Sequence, residues 1–419
     1  MSKVEWKPFS PKALDAMQNS NAFINILEGA VRSSKTLTSI IAWLSFLEES
    51  PHDEFLMSGN TTDTLYRNVI GGTYGILSIM GKRRAKYMKA GQGGAQLILR
   101  FGNREKICYC VGAYNEKAEE RIRGMTVAGW YADEVTLYPE SFVKQAINRL
   151  SLPGARAFWT CNPDSPYHYI KTEFIDKAEQ KGYKHWHFKL DDNWALSEEY
   201  KENIKKAYAG VWYQRMVEGL WVLAEGVIYD MFDEDVHVVR ELPRMVKRWV
   251  AVDYGTASVT VFQLLGLGND DNLYVIDEWR HDAKEAGRQM TDIELARAFK
   301  EWILGWDVIP SSIFVDPSAK SFALQLNRDF RRVVTVEDAD NTVNDGIRVV
   351  SSLFAARRLF VHERCKGLRQ ELSTYMWDPN YQKIGKDKPL KENDHSCDTL
   401  RYGVYSQRSI WRSILKGVA

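Results

Sequence analysis

The residues best suited to chemistry in this 419-residue chain begin at Gly29-Ala30-Val31-Arg32-Ser33-Ser34-Lys35-Thr36. The run lies between an apolar strand candidate, Ile24 to Leu27, and a helical stretch, Leu37 to Leu47, which is the setting a Walker A loop needs. Backbone N–H groups of Gly29, Ser33 and Ser34 with the helix N-terminus would wrap phosphates. Lys35 would reach the β- and γ-phosphates of ATP, and the Thr36 hydroxyl would hold Mg²⁺. Ser34 stands where the pattern has glycine, so close backbone approach must be made around a side chain. Further on, the apolar strand Gly129-Trp130-Tyr131-Ala132 runs into Asp133-Glu134. Alone, such a pair reads as a solvated strand end. Behind a phosphate loop it reads as Walker B, with Asp133 holding Mg²⁺ and Glu134 orienting and deprotonating the attacking water. Arg32, inside the loop, reads either as an arginine acting in cis on γ-phosphate charge or as an ordinary surface contact.

A second constellation occupies the other half of the chain. Asp253 ends Val250-Ala251-Val252-Asp253, Asp316 ends Ile313-Phe314-Val315-Asp316, and Asp398 closes Asp394-His395-Ser396-Cys397-Asp398. Three hard oxygen ligands of this kind suit two Mg²⁺ or Mn²⁺ ions about 4 Å apart, one activating water and one stabilising the leaving oxygen of a phosphodiester. On a helix of about 3.6 residues per turn, Cys397, Leu400 and Val404 share one face, while Asp394, His395, Asp398 and Tyr402 share the other. The apolar face is expected to pack and the charged face to meet metal. Asp394 reads either as a metal ligand or as the helix N-cap. His395 reads as a metal neighbour or proton shuttle, or as a solvated first-turn residue.

The elements that must position these groups fall into two patterns. Strand candidates at Ile24 to Leu27, Glu54 to Met57, Gln96 to Phe101, Ile107 to Val111, Val127 to Ala132 and Arg156 to Cys161 alternate with amphipathic stretches, which predicts a parallel-rich α/β sheet. Trp212 to Phe232 reads as a helical segment running into an extended Gly226 to Tyr229 arm. Beyond it, strands at Arg248 to Asp253, Ser258 to Leu265 and Leu273 to Trp279 form a meander. A helix at Asp292 to Leu304, strands at Ser312 to Asp316 and Arg332 to Val336, and further helices follow. That order resembles a ribonuclease H-like fold. The expected organisation is α/β throughout: a P-loop ATPase domain over 1–220, a linker arm over 221–240 and a ribonuclease H-like nuclease domain over 241–419.

Composition sets bounds around this reading. The length fits two domains of roughly 200 residues. An apolar fraction of 45% and a charged fraction of 26% are those of a globular chain. The longest apolar run, Leu37 to Leu47, is shorter than the ~20 residues of a membrane span. The first residues lack the pattern of a secretory signal. Five scattered cysteines without paired spacing argue against a zinc site or a disulfide framework and predict a reducing cytoplasm. The net charge of +1 means that DNA contact must come from local clusters. Lys82-Arg83-Arg84 with Lys86, Arg328 with Arg331-Arg332, and Lys383 to Lys391 are the candidates, each of which also reads as a solvated face.

Several stretches together resemble phage terminase large subunits across nearly the whole chain: Glu28 to Thr36, Arg121-Ile122-Arg123-Gly124, Thr160-Cys161-Asn162-Pro163, and Glu218-Gly219-Leu220-Trp221 through Glu225-Gly226. The resemblance implies an ATP-driven motor that moves viral double-stranded DNA into a procapsid and a metal-dependent endonuclease that cuts the concatemer. It implies that Thr160 and Asn162 couple hydrolysis to movement, with a strand end capping the next helix as the alternative reading of both. It implies that Arg123, with Arg121 as rival, reaches a neighbouring subunit's nucleotide. The implied partners are a portal protein and a small terminase subunit, with a monomer in solution, a ring at the portal, and action in the host cytoplasm. Two alternatives remain open at the level of sequence: a repair or recombination ATPase-nuclease, and a nucleotide-independent DNA-binding assembly subunit whose support is Ser34.

Overall fold

Every residue of strand β1 (Ile24–Gly29) is buried, because parallel strands β7 (Arg156–Cys161) and β8 (Lys184–Phe188) flank it. Apolar layers also cover both faces of its sheet. A strand enclosed in this way has no solvated side and reads as a continuous apolar run; its one amide side chain, Asn25, donates to the Ala157 carbonyl at 3.1 Å. The computed structural model describes residues 6–91, 94–255, 259–306, 309–330 and 333–415. They form two compact units. The first takes in the chain up to Lys201 with Tyr213–Leu223 and Ile384–Lys386; the second takes in Glu202–Trp212, Ala224–Lys383 and the chain from Asp387 on.

The first unit is built on an eight-stranded sheet in the order β3-β4-β5-β2-β6-β7-β1-β8. Its remaining strands are β2 (Glu54–Gly59), β3 (Ala85–Gly91), β4 (Gly94–Phe101), β5 (Arg104–Gly112) and β6 (Gly129–Ala132). Alternation along β6 divides the core: Trp130 and Ala132 join one layer with Trp159 and Phe142, while Tyr131 joins the other with Trp43, Phe46 and Phe158. The helix Lys35–Glu49 supplies Trp43 and Phe46, and Gly129 lies so close beneath them that a Cβ would stand 2.6 Å from the Phe46 ring. Each strand expected in this half is present, Arg156–Cys161 with the expected bounds and the others with shifted ends. β3 and β8 lie outside those expectations, because Lys86, Lys89, His185 and His187 interrupt the apolar pattern. β1, β6 and β7 run parallel and adjacent to their neighbours, so their carboxyl ends lie on one edge of the sheet. That edge carries the phosphate loop, Asp133-Glu134 and Thr160 to Asn162, as open α/β sheets place their ligands.

The second unit has a seven-stranded sheet in the order β14-β13-β10-β11-β12-β15-β9. The strands are β9 (Val238–Val239), β10 (Met245–Asp253), β11 (Val259–Gly268), β12 (Leu273–Asp282), β13 (Ser312–Val315), β14 (Thr335–Asp338) and β15 (Leu359–His362). β10, β11 and β12 form the expected antiparallel meander, and β13 returns parallel to β10. Ser258 and Arg332, the starts of two expected strands, lie outside the described residues. The helix Asp292–Leu304 has the expected bounds and opens with a capping box from Thr291 and Glu294. The helix His395–Ser406 lies on β10 and β11, where a Cβ on Gly403 would stand 2.6 Å from Leu265 and 3.1 Å from Ala251. Residues 221–240 are the expected linker arm, and the change from one unit to the other falls within them. From Ala224 the chain belongs to the second unit, where Val227 bridges Met376 and Ile228 and Tyr229 are buried. Among the described residues no helix is long and apolar enough to cross a membrane, and all five cysteines are buried thiols.

Candidate active sites

In the first unit the phosphate loop leaves β1 through Gly29 at φ +127°, where a Cβ would collide with the Phe188 carbonyl oxygen. Only glycine fits there. Arg32 (φ 54°) and Ser34 (φ 72°) also take left-handed backbone, as does Glu134 (φ 58°). For residues with a Cβ this costs roughly 1 kcal/mol or more each and concentrates at functional sites. Ser34 occupies the N-cap position of the helix Lys35–Glu49 without capping it, and its buried Oγ has no hydrogen-bond partner among the described residues. Lys35 is buried and donates to the carbonyls of Gly29 and Ala30, to Ser33 Oγ at 3.2 Å and to Asn162 Oδ1 at 3.2 Å. Burial lowers its pKa to about 8. A buried ammonium hydrogen-bonded to neutral oxygens, beside an orphan hydroxyl, fits an incoming phosphate. Thr36, in the first helical turn, is half-buried.

Asp133 lies at the end of β6, buried, and burial raises its pKa against hydrogen bonds from Asn68 and Thr160. Thr160 Oγ1 donates to Asp133 Oδ1 at 3.0 Å and accepts from the Glu134 N–H at 3.2 Å. Thr160 and Asn162 thus bond to Asp133, Glu134 and Lys35, and neither caps a helix among the described residues. Arg32 is exposed, and its carbonyl accepts from Asn193 Nδ2 at 2.6 Å. Arg123 is exposed and ion-paired with Glu119. Arg121 donates to the Gly112 carbonyl at 3.3 Å and stacks over Tyr114. Asn68, whose Nδ2 lies 3.2 Å from Asp133 Oδ2, carries no sequence signal.

In the second unit the register Val252↔Val315 sets Asp253 and Asp316 at the ends of adjacent parallel strands. The helix His395–Ser406 brings Asp398 to them. His395 Nδ1 lies 2.9 Å from Asp253 Oδ2. Burial, with Asp398 and Asp316 nearby, pushes Asp253 up to about 6. His395 is raised by that same bond. Asp316 accepts from Tyr402 at 3.0 Å and from the Ser318 N–H at 2.7 Å. Asp398 is differently placed, for Arg401 donates to its Oδ1 at 2.9 Å and Lys391 to its Oδ2 at 2.9 Å. Burial works against its charge, but these two cations hold it below the ordinary carboxylate range. Among the described residues no three acidic, histidine or cysteine side chains are set to hold one metal ion. Asp253 and Asp316 are neighbouring carboxylates paired with no lysine or arginine among the described residues, and they fit a divalent ion; Asp398 fits one once Lys391 releases it.

Two expectations need correction here. Asp394 sits at the N-cap position but makes no capping bond; its carboxylate pairs with Lys391 at 2.8 Å. The cap comes from Glu371, whose Oε2 accepts from the Ser396 and Cys397 N–H groups at 2.6 and 3.1 Å. The helix is buried along Ser396 through Tyr405, so both of its faces meet protein. Lys383 to Lys391 is not simply a solvated loop, because Lys391 reaches Asp394 and Asp398. The other basic candidates, Lys82, Arg83, Arg84, Lys86 and Arg328, are exposed, while Arg331 and Arg332 lie outside the described residues.

Residues 26–236 match the family described as terminase large subunit, T4likevirus-type, N-terminal. The solved large terminase of a thermophilic bacteriophage is 36% identical, with a TM-score of 0.87 over 96% of this chain and 99% of that one. The same protein solved with ATP-gamma-S gives 0.86 at the same identity and coverage. The terminase large subunit of Escherichia phage T5 is 27% identical over 222 residues, 50% of this chain and about half, 47%, of that protein. With a family match over half the sequence and a fold match over nearly all of it, the chain belongs to the phage terminase large subunits.

Proposed function

We propose that this chain is an ATP-driven motor that translocates viral double-stranded DNA into the procapsid, and a metal-dependent endonuclease that cuts the concatemer. The observation that carries the reading is the convergence of Lys35, Asp133, Glu134, Thr160 and Asn162 on one sheet edge through direct hydrogen bonds. ATP enters as substrate. Lys35 exchanges its carbonyl partners for the β- and γ-phosphates. Thr36 and Asp133 would hold Mg²⁺, which would supply positive charge against the phosphates. Glu134 accepts a proton from the water that attacks the γ-phosphorus as the bond to ADP breaks. Arg32 stabilises the transferred group in cis, and Arg123 serves a neighbouring subunit in trans. Because Asn162 holds Lys35 and Thr160 holds both Walker B carboxyl residues, a change at the γ-phosphate reaches β7 directly, which supports the coupling role of both.

In the nuclease unit Asp253, Asp316 and Asp398 with His395 are the residues to hold two Mg²⁺ or Mn²⁺ ions, which supply a nucleophilic water and leaving-group stabilisation. Asp253, with Asp398 and Asp316 both nearby, would be the ligand that two ions share. Lys391 must give up Asp398 for the third ligand to serve. Portal protein, small terminase subunit and DNA are the partners, with a monomer in solution, a ring at the portal vertex and action in the host cytoplasm.

The test separates the two chemistries in one purified protein. Glu134→Gln is expected to bind ATP within about twofold of the parent and to hydrolyse it at least ~100-fold more slowly. It should still linearise circular DNA with Mn²⁺ until a chelator is added. Parental ATP turnover by this variant, or no metal-dependent cutting by the unsubstituted chain, would remove the corresponding half of the proposal.

A further inference from the structure

In the first unit Glu218-Gly219-Leu220-Trp221 lies against the phosphate loop. The Met216 carbonyl, just before it, accepts from the Val31 N–H at 2.8 Å. Gly219, at φ +75°, approaches so closely that a Cβ would stand 2.9 Å from the Ala30 nitrogen and from His187 Cε1. Trp221 Nε1 then donates to Glu28 Oε2 at 3.0 Å. Glu28 is the residue before Gly29, and it is 2% exposed. Its other oxygen receives His185 Nε2 at 2.9 Å and His187 Nδ1 at 2.8 Å. Burial would raise its pKa, yet the two histidine bonds bring it down to about 2. The segment has a second anchorage, for the Arg215 guanidinium, 1% exposed, donates to Asp164 Oδ1 and to the Val222 carbonyl at 3.0 and 3.1 Å. It therefore grips the loop that follows Asn162 as well as the loop that follows β1. A buried carboxylate with three directed donors is held far more tightly than a single neutral bond would hold it.

We propose that Tyr213–Leu223 is a strap that fixes the phosphate loop, and that Trp221 and Glu28 are positioning residues for nucleotide binding. The tie between the indole N–H and Glu28 sets the backbone from Gly29 to Val31, and phosphate entering the loop moves that tie. The inference rests on the nucleotide-binding reading of the same loop.

The experiment uses the full chain labelled with 5-fluorotryptophan, with the Trp221 fluorine resonance assigned by its absence in Trp221→Phe. ADP is expected to shift that resonance. Trp221→Phe and Glu28→Gln, the second of which keeps the side-chain volume, are each expected to weaken fluorescent ADP analogue binding about tenfold. KM for ATP should rise in proportion, with kcat changed less than about threefold. Either variant alone suffices if the other fails to fold. A Trp221 resonance that stays fixed at saturating ADP, or a dissociation constant within about twofold of the parent's, overturns the strap. Failure of the unsubstituted chain to bind ADP overturns the nucleotide reading instead.

Discussion

Asp253 is the residue whose environment most constrains the nuclease site. Its folded-state pKa of about 6 lies above the ordinary 3.8 because burial and the neighbouring Asp398 and Asp316 carboxylates penalise its charge. The folded chain therefore keeps a proton that the unfolded chain releases. Stability from this group is lost as pH rises from about 4 to about 6 and stays lost above. Asp253→Asn removes the buried charge. In chelator its melting temperature should match the parent's at pH 4 and exceed it by about 2–4 °C at pH 8, while metal-dependent cutting is abolished. Scanning calorimetry at the two pH values checks this, and equal melting temperatures at pH 8 would show that the carboxylate carries no such penalty. That Asp253, Asp316 and Asp398 come near one another is legible in the sequence because each closes an apolar strand or lies on a helix of clear periodicity. Lys391 and Arg401 are not, because a cation reaching into a buried carboxylate from a loop or from the next helical turn leaves no pattern along the chain.

The helix that carries His395 and Asp398 depends on an element far from it in sequence. Glu371, on the helix Lys366–Thr374, accepts from the Ser396 and Cys397 N–H groups, free donors of the first turn, and from Arg280 Nη1 at 2.5 Å. Loss of this carboxylate leaves buried backbone donors unpaired, at roughly 1–3 kcal/mol. Glu371→Ala should therefore lower stability by about that amount in denaturant unfolding and weaken cutting by displacing His395. Asp394→Asn should cost less than about 0.5 kcal/mol, since Asp394 makes no cap. The reverse order of the two losses would return the capping role to Asp394. An aspartate directly before a helix is the obvious cap by local rules, and tertiary packing overrides it here. The same distinction runs through the fold. The site-bearing strands β1, β6, β7, β10 and β13 are legible as apolar runs, whereas β8 is hidden because its histidines face Glu28 and make sense only once β1 and β8 are paired.

Each unit holds its own candidate site, so the proposed division of labour between the two arginines can be read only in the proposed ring. Arg123 is exposed and held by one surface ion pair with Glu119, a contact worth about 1 kcal/mol or less and easily exchanged for a phosphate. Arg123→Ala should leave nucleotide binding by the isolated chain unchanged. Mixed with Lys35→Ala protein in portal-bound rings, it should regain part of the ATP turnover that each variant lacks alone, because one subunit then supplies the loop and its neighbour the guanidinium. Absence of recovery at every mixing ratio, measured as phosphate release, would confine Arg123 to its own subunit.

Strand β3, at one end of the first unit's sheet, pairs only with β4 among the described residues. An unpaired strand edge is a template for another chain. This one carries exposed Lys86 and Lys89 and a register irregularity between Met88 and Gly91, the features by which natural sheets avoid growing by one more strand. Lys86, first considered as a DNA contact, and Lys89 thus serve colloidal solubility: a protein proposed to crowd several copies around one vertex keeps their sheets from fusing edge to edge.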